Sequence, residues 1–489
     1  MKLRVKILKF LAGKPVCMVH EETAENMSLH MDNRVSIKKN KKRIISIVDF
    51  SKALNKNEIA VSDEIVKHLN VKTRDIVDVE VTERPLSIDL IKKKLKGHEL
   101  TKEEIRKIIK DIAENEITEA EIAFFISAVY EKDMNLRETK DLISAMVESG
   151  SKLRLRGKVA DKHSIGGVAG NRTTPIIISI CTTTGLVMPK TSSRAITSAA
   201  GTADTIETLA KVDFSVKEIK EILKKTNACF VWGGNLGLAP ADDKIIKVER
   251  MMKIDSTAQL LASILSKKIS VDSKYVLIDI PFGKSAKVSK RQAEKLKAKF
   301  LYLGKKFGLK LEVVLTDGSH PIGRGVGPIL EMRDVIKVLR RDKDAPKDLE
   351  EKSIMLSGRI LEMTEKTRPG EGHNLARQIL DSGKAWIKFQ EIIRAQQGKI
   401  KRLIPGKYKY VIRAHKSGKI EHINNNLINS LARAAGCPED KAAGIYFHKK
   451  FDGIKKGEKI MTVYATSEEK LEHAKKFYQK NKKEMIEFR

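Results

Sequence analysis

The sequence of 489 residues has little of what marks secreted, metal-binding or membrane-spanning proteins. It has four widely separated cysteines, whose spacing suits neither a disulfide framework nor a zinc site: Cys17, Cys181, Cys229 and Cys437. No apolar run approaches the roughly 18 residues of a spanning helix. The longest, Ile176 to Ile180, is expected to form a buried strand. Basic residues continue to Lys9 and leave no apolar core for a signal peptide, so a cytoplasmic protein without membrane contacts is expected.

Aromatic residues make up only 5% of the chain, whereas hydrophobic residues make up 41%, which indicates globular cores filled by aliphatic side chains. The formal net charge is +32. This excess is spread along the chain. Residues 1–84 hold 17 basic and 12 acidic side chains, a balance close to the one that an even distribution of the net charge would give a segment of this length. A dispersed excess favours solvated lysine-rich faces over a functional basic surface such as one for nucleic acid, and steering of phosphate-bearing substrates is compatible with both. The histidines show no metal-ligand spacing, so no metal site is expected.

The order of the patterns predicts a multidomain α/β protein. Residues 1–84 alternate short β-like stretches with turns around one helix, VSDEIVKHLN, and form an N-terminal β-rich domain. Residues 85–157 and 240–270 are expected to form a helical lobe. Capping boxes mark its helix starts, in the pairs Thr101 with Glu104, Thr118 with Glu121, and Asn135 with Glu138.

Strand-like segments alternate with helical ones in residues 158–239 and 271–404, which predicts a second lobe built on a mixed or parallel sheet. Residues 405–489 return to strands and turns with a helix, and are expected to form a C-terminal α+β domain. A cleft between the helical and α/β lobes is the expected position of the site.

Two segments of the α/β lobe carry residue types suited to anions. In Lys162-His163-Ser164-Ile165-Gly166-Gly167 the lysine supplies charge, the serine a hydroxyl, and the glycines let backbone N–H groups approach a ligand. The segment SSRAITSAAGTAD, residues 192–204, combines hydroxyls, one arginine and small residues. Each pattern alone is compatible with an ordinary polar loop.

Taken together, KHSIGGV and SSRAITSAAGTADTIE resemble the paired signatures of the thymidine/pyrimidine nucleoside phosphorylase family. Four further segments agree in order: LAPADD (238–243), IDSTAQLLASILSKK (254–268), IDIPFGKSAKV (278–288) and TDGSHPIGRGVGPILE (316–331). The resemblance covers residues from about 85 to 489. It implies a two-lobed enzyme that transfers a pentose to inorganic phosphate, with phosphate as co-substrate, no cofactor and no nucleic-acid partner, and that assembles as a homodimer or larger homo-oligomer.

The departures from the usual family pattern indicate a branch. Ser193 replaces a glycine and Ser198 a histidine, and Val248 stands where an arginine would contact a pyrimidine, seven residues before Asp255. With the additional N-terminal domain, the sequence is similar to the archaeal AMP phosphorylase branch. That resemblance implies that AMP and phosphate are converted reversibly to adenine and ribose 1,5-bisphosphate, with CMP and UMP as further substrates.

The resemblance also implies roles for individual residues. Asp255 matches the proton donor to the leaving base, a step that a positioned carboxylic acid can catalyse. Lys162, Ser164 and Ser192 correspond to positions that bind inorganic phosphate. The positions expected to bind the nucleotide are Gly167, Ser193, Arg194, Ala195, Ile196, Thr197, Ser198, Thr202, Ser263 and Lys287. Arg194 and Lys287 are both candidates for the 5′-phosphate, and Thr202 also fits inorganic phosphate.

Three other functions remain as alternatives. A thymidine or uridine phosphorylase fits the family, but not Val248 and Ser193. A phosphoribosyltransferase with the same fold needs an acidic metal-binding motif, which the sequence does not contain. A nucleic-acid-binding protein would use the basic surface and would show no turnover.

Overall fold

The computed structural model describes the chain except residues 32, 83–84, 196–197, 253, 255 and 449–452 and the side chain at position 235. The chain divides into two units, Met1–Ser149 with Pro240–Gln259, and Gly150–Ala239 with Leu260–Arg489. None of the helices in the described parts has the length and apolarity that a membrane span requires. The borders of the four domains expected from the sequence stay a prediction.

The N-terminal part of the first unit is a closed β-barrel. Its elements are β1 (Lys2–Ile7), β2 (Val16–Val19), α1 (Glu21–Asn26), β3 (Arg34–Lys39), β4 (Lys42–Phe50), β5 (Glu58–Val61), α2 (Asp63–Leu69) and β6 (Ile76–Val81). The strand order is β1-β5-β2-β4-β3-β6, and β6 pairs with β1 to close the barrel. Burial alternates along β1, because successive side chains of a strand point to opposite faces, and Leu3 and Val5 therefore enter the core.

Helices follow the barrel: α3 (Ser87–Leu95), α4 (Lys102–Ala113), α5 (Glu119–Lys132) and α6 (Leu136–Glu148). The capping boxes predicted at Thr101, Thr118 and Asn135 are confirmed at the starts of α4, α5 and α6. Each satisfies backbone N–H groups that a helix start leaves unpaired, a contribution of about 1 kcal/mol per cap. Glu138 of the third box also receives the buried Lys94 ammonium, 3.0 Å from both carboxylate oxygens.

The second unit begins with strands that run parallel. The elements of this part of the chain are β7 (Ala160–Ser164), α7 (Thr173–Thr182), β8 (Met188–Ser192), α8 (Thr202–Ile206), α9 (Val216–Thr226), β9 (Ala228–Trp232), α10 (Pro240–Met252), α11 (Thr257–Ser270), β10 (Tyr275–Phe282), α12 (Lys290–Lys306) and β11 (Lys310–Asp317). Helix α10 belongs to the first unit, and α11 leads from the first unit into the second. Strand β10 lies between β7 and β11, and β8 pairs with β9. A parallel bridge from Val159 to Val187 joins the two sets, so the strands end at one common edge.

The expectation of a strand at Ile176 to Ile180 is wrong, because this run lies inside helix α7. Every residue of α7 is buried, and its isoleucines belong to a large hydrophobic cluster built from helices and strands. A helix without an exposed side has no amphipathic periodicity, and a short apolar run then gives no signal that distinguishes helix from strand.

The rest of the second unit comprises β12 (Gly325–Val326), α13 (Pro328–Arg340), α14 (Lys347–Met363), α15 (Gly372–Asp381), α16 (Lys384–Ala395), β13 (Tyr408–Arg413), β14 (Gly418–Ile423), α17 (Asn425–Ala434), β15 (Gly444–Phe447), β16 (Gly453–Ile454), β17 (Lys459–Ala465), α18 (Glu468–Met485) and β18 (Ile486–Phe488). Helices α14 and α16 pack against α7. Strand β12 follows β11 in the chain but pairs with β15, in a sheet ordered β12-β15-β17-β13. The C-terminal region thus includes a strand from the loop after β11.

Candidate active site

The predicted site residues of the second unit gather at the carboxyl ends of its parallel strands. Lys162 and Ser164 lie on β7, and Gly167 follows that strand. Ser192 ends β8, and the segment from Ser193 to Thr202 leads from it to α8. The carboxyl edge of a parallel sheet is where α/β proteins bind ligands.

Beneath this edge, two buried ammonium groups share one carboxylate. Lys162 is 1% exposed, and its Nζ donates to Thr173 Oγ1 at 2.9 Å and lies 3.8 Å from Asp279 Oδ2. Lys352 of α14 approaches the same oxygen at 3.3 Å. Thr316 donates to the other oxygen of Asp279 at 2.6 Å. Burial alone would raise the pKa of Asp279, but Lys352 and Lys162 hold it below its usual value.

A second carboxylate, Asp161, lies between two more buried lysines. Lys268 of α11 is 1% exposed and donates to Asp161 Oδ2 at 2.6 Å, while Lys190 of β8 lies 3.4 Å from Oδ1. Burial lowers the pKa of Lys268 to about 7 despite Asp161, and burial likewise lowers the pKa of Lys162 to about 8.

The two groups together place four lysine ammonium groups against two aspartates: Lys162, Lys190, Lys268 and Lys352 against Asp161 and Asp279. When all are ionised, these described side chains carry an excess of two positive charges. Buried charge without compensation is costly, so this lysine cluster favours either loss of protons or the arrival of an anion. A dianion such as phosphate carries the charge that would balance it.

The sequence pattern indicates Lys162 but not the other members of the lysine cluster. A signal was present in YVLIDIPF, where Asp279 interrupts an otherwise apolar strand. A charged residue inside a buried strand is rare unless it is paired. Its partners come from β7 and α14, which no local pattern could identify.

Arg194, a candidate for the 5′-phosphate, lies against carboxylates. Its NH1 and NH2 nitrogens donate to Glu207 at 2.7 and 2.8 Å, and NH1 also reaches Asp204 at 3.2 Å. The guanidinium stacks over Trp232, 5.1 Å from the ring centroid. Hydrogen bonds from Arg194 lower the pKa of Glu207 to about 2, and Lys441 contacts the same carboxylate. The side chain of Arg194 therefore stabilises the segment after β8.

Asp204 holds the two ends of that segment together. Its Oδ2 accepts the backbone N–H groups of Ala195 and Gly201, both at 2.8 Å, and the carboxylate is 2% exposed. Ser198, between these ends, donates its hydroxyl to the carbonyl of Ala200 at 3.0 Å. One buried carboxylate thus closes the loop that precedes α8.

Arg172, which no sequence motif indicates, fixes the end of the same loop. Its guanidinium donates to Thr202 Oγ1 at 2.9 Å, to the carbonyl of Ala200 at 2.7 Å and to Glu331 at 2.7 Å. Glu331 is 2% exposed, and burial raises its pKa although Arg172 opposes the shift. Arg172 directly precedes the apolar helix α7, and this position gives no sign of its partners.

The predicted nucleotide contacts Gly167 and Lys287 lie against each other. Gly167 has φ +89°, and a Cβ atom there would lie 2.8 Å from the backbone nitrogen of Lys287. Glycine is required by both the conformation and the space. The loop after β7 and the loop after β10 therefore form one continuous surface at the carboxyl edge.

Ser263 is partly buried on α11. Three other predicted site residues, Asp255, Ile196 and Thr197, lie outside the described residues. Next to Asp255 in the chain, the hydroxyl of Ser256 accepts the backbone N–H of Gln259 at 3.2 Å and so caps the start of α11. The roles of these residues, like those of the other site residues, stay predictions.

Family models for three domains match the chain. Residues 88–150 match the helical bundle domain of a glycosyl transferase family, and residues 156–386 match the a/b domain of the same family. Residues 419–483 match the C-terminal domain of pyrimidine nucleoside phosphorylases. The expectation of a multidomain α/β protein with a helical, an α/β and a C-terminal domain is confirmed at this level.

A solved structure, anthranilate phosphoribosyltransferase of Thermus thermophilus, is similar in fold, with a TM-score of 0.53 and 18% identity. The match covers 63% of this chain and all of that one. Relatives that are similar in sequence match a larger share of this chain. An AMP phosphorylase of Thermococcus kodakarensis is 42% identical, and one of Pyrococcus horikoshii is 45% identical; each match covers 97% of this chain and 95% of the relative. The chain belongs to the AMP phosphorylases of the thymidine/pyrimidine nucleoside phosphorylase family.

Proposed function

We propose that this protein catalyses the reversible phosphorolysis of AMP to adenine and ribose 1,5-bisphosphate, with CMP and UMP as further substrates. The observation that carries the proposal is the excess of positive charge buried in the lysine cluster beneath the carboxyl edge. An enzyme that brings two phosphates together needs such a charge to offset their mutual repulsion. The AMP phosphorylases similar to this chain over 97% of its length support the choice of substrate.

In this proposal inorganic phosphate binds at the ends of β7 and β8, to Lys162, Ser164 and Ser192. These residues lie on strands, and Lys162 is held by Thr173 and Asp279, so its ammonium has a defined position before phosphate arrives. A group that is already in place loses little freedom on binding. A phosphate dianion near Lys162 would also raise the depressed pKa of this lysine and keep it charged.

The nucleotide binds to the loop residues Gly167, Ser193 to Ser198 and Lys287, and to Thr202 of α8 and Ser263 of α11. We assign the 5′-phosphate to Lys287, whose backbone lies against the loop of Gly167, whereas the guanidinium of Arg194 lies against Glu207 and Asp204. In this assignment Arg194 shapes the loop whose backbone groups meet the nucleotide. The small residues of that loop permit the backbone to approach a ligand closely.

Phosphorolysis replaces one bond at C1′ of the ribose by another. A phosphate oxygen forms a bond to C1′ while the bond from C1′ to the base nitrogen breaks, and its electron pair stays with the base. Asp255 would donate its proton to the departing base, which lowers the barrier because the base then leaves uncharged. Inorganic phosphate is the co-substrate, and the proposed reaction requires no cofactor.

Val248 bears on the alternative, a thymidine or uridine phosphorylase. It stands where the family pattern places an arginine that contacts a pyrimidine, and its side chain on α10 is apolar and 2% exposed. A buried valine provides no hydrogen-bond donor for a pyrimidine carbonyl. The base specificity of this protein is therefore expected to differ from that of the pyrimidine nucleoside enzymes.

The test is base release, measured by chromatography with and without phosphate, from AMP, CMP, UMP, adenosine and thymidine in parallel. Phosphate-dependent release of adenine from AMP, but not from adenosine, is expected. Release from thymidine alone would refute the proposal and favour the nucleoside alternative. With AMP active, Asp255→Asn should reduce kcat by about 10²- to 10⁴-fold, because the proton donor is lost. The assignment of Asp255 is wrong if this variant keeps its wild-type kcat.

A further inference from the structure

We propose that helix α17 of the C-terminal region is a positioning clamp for the nucleotide loops, acting through Asn425 and Asn429. The inference rests on the proposed function, because the clamped loops carry the residues assigned there to AMP. The two asparagines are one helical turn apart and so share a face of α17. Both are buried, at 0% and 5% exposure.

Asn425 joins three loops at the carboxyl edge. Its Oδ1 accepts the backbone N–H of Ala169, after β7, at 2.9 Å. Its Nδ2 donates to the carbonyl of Gly318, after β11, at 2.9 Å, and to Ser285 Oγ, after β10, at 3.1 Å. Ser285 in turn donates to the carbonyl of Ser319 at 3.2 Å. One carboxamide thus meets three different loops.

Position 425 requires a side chain that both accepts and donates hydrogen bonds. The loop after β7 presents a donor, whereas Gly318 presents an acceptor. Only a carboxamide offers both an acceptor oxygen and two N–H donors on one short side chain. An aspartate would lack the donors, and an apolar residue would remove the partner of the Ala169 N–H and of the Gly318 carbonyl, each at a cost of desolvation.

Asn429 holds the remaining loop of the nucleotide site. Its Oδ1 accepts the backbone N–H of Ala199, in the loop after β8, at 3.0 Å. Both clamped alanines, Ala169 and Ala199, are 0% exposed and pack into the apolar core of the C-terminal region. Hydrogen bonds and apolar packing therefore hold the same two points of the loops.

The clamped points lie next to the assigned nucleotide contacts. Ala169 is two residues beyond Gly167, Ser285 is two residues before Lys287, and Ala199 follows Ser198. The residues assigned to inorganic phosphate lie on β7 and β8 instead, within the sheet. Loss of the clamp should therefore weaken binding of AMP much more than binding of phosphate. A general loss of stability would not separate the two substrates in this way.

The experiment compares Asn425→Ala and Asn429→Ala with Asn426→Ala, which alters an exposed asparagine of the same helix. The KM for AMP and the KM for phosphate are measured separately, with thermal unfolding as a check on folding. Asn429→Ala, which removes one hydrogen bond among the residues that the structure describes, serves if Asn425→Ala does not fold.

For both clamp variants the KM for AMP should rise by about 10- to 100-fold, the effect of small misplacements of binding groups. The KM for phosphate, and all constants of Asn426→Ala, should stay within about twofold of wild type. Equal changes in both KM values, or none, would overturn the clamp.

Amide hydrogen exchange makes the test independent of the proposed function. Relative to Asn426→Ala, the peptide covering residues 165–172 should exchange faster in Asn425→Ala, where Ala169 loses its acceptor, and the peptide covering residues 193–201 faster in Asn429→Ala, where Ala199 loses its acceptor. If the wild-type enzyme releases no adenine, the proposed function fails, while faster exchange still supports the clamp. Unchanged exchange overturns the clamp, whatever the activity.

Discussion

Replacement of Arg172 by methionine tests how much the segment before α8 depends on one buried ion pair. The guanidinium donates to Glu331, Thr202 and the carbonyl of Ala200 at 2.7 to 2.9 Å. Methionine fills much of the same volume but donates to none of them. The variant therefore leaves a carboxylate that is 2% exposed and that keeps, among the described residues, the backbone N–H of Gly327 at 3.1 Å as its donor.

Removing one partner of a buried ion pair costs about 3–5 kcal/mol, because the remaining charge is left in a poorly solvated place. We expect the free energy of unfolding to fall by this amount at pH 7.5. The control is a more exposed ion pair, in which the guanidinium of Arg359 contacts the carboxylate of Glu312 and the Arg359 side chain is 50% exposed. Arg359→Met should cost about 1 kcal/mol or less.

The deficit of Arg172→Met should depend on pH. Burial already raises the pKa of Glu331, and Arg172 opposes that rise. Without Arg172 the folded pKa rises further above the unfolded one, so the folded chain holds a proton that the unfolded chain releases. Stability then increases as the pH falls through this window, and the deficit should shrink between pH 7.5 and pH 5.

Urea unfolding at both pH values, followed by circular dichroism, measures these quantities for wild type, Arg172→Met, Glu331→Gln and the double variant. The double variant should recover part of the loss, because it removes the unpaired charge. A cost no greater than that of Arg359→Met, or a deficit that does not change with pH, would refute this account of the buried pair.

Two further predictions concern the loops and the lysine cluster. Gly167→Ala should reduce kcat/KM for AMP by about 10- to 100-fold in the base-release assay, because the new Cβ meets the backbone of Lys287. The control is Gly166→Ala, at a similar φ of +86°, where no described atom lies within 4 Å of the new Cβ, and its loss of kcat/KM should be much smaller. Equal losses would show that conformation alone matters. The pKa of Lys268, lowered to about 7, means that the unfolded chain gains a proton first as the pH falls, so stability should rise with pH from about 7 to 10. Lys268→Met should flatten this rise in urea unfolding, and an unchanged slope would contradict the shift.

Local features of the fold could be predicted where neighbours in sequence determine them. Thr101 and Glu104 form a capping box because they are three positions apart, and both groups reach the same helix start. Helix α7 was mispredicted because its environment, and not its own pattern, makes it a buried helix. The pairing of β12 with β15 joins Gly325 to Tyr446, and nothing near either residue indicates the other.

The site shows the same division. Lys162 and Gly167 were identified because their motif is short and similar to that of a family. Asn425, in contrast, stands in a run of asparagines, and its burial depends on loops more than 100 residues away. The carboxylates that meet Arg194 are 10 and 13 residues beyond it, a spacing that indicates no contact until the loop is folded.

The distance in sequence between the clamped loops and α17 has a consequence for synthesis. Ala169 and Ala199 precede their asparagine partners by 256 and 230 residues. At about 5–20 residues per second, a ribosome needs roughly 10 to 50 seconds to make that length. Within this interval the last lysine of the cluster, Lys352 of α14, is made before Asn425, while the amides of Ala169 and Ala199 still lack their acceptors. The growing chain therefore gains its anion-binding core first, and the ordered nucleotide loops only when the last part of the protein has been made.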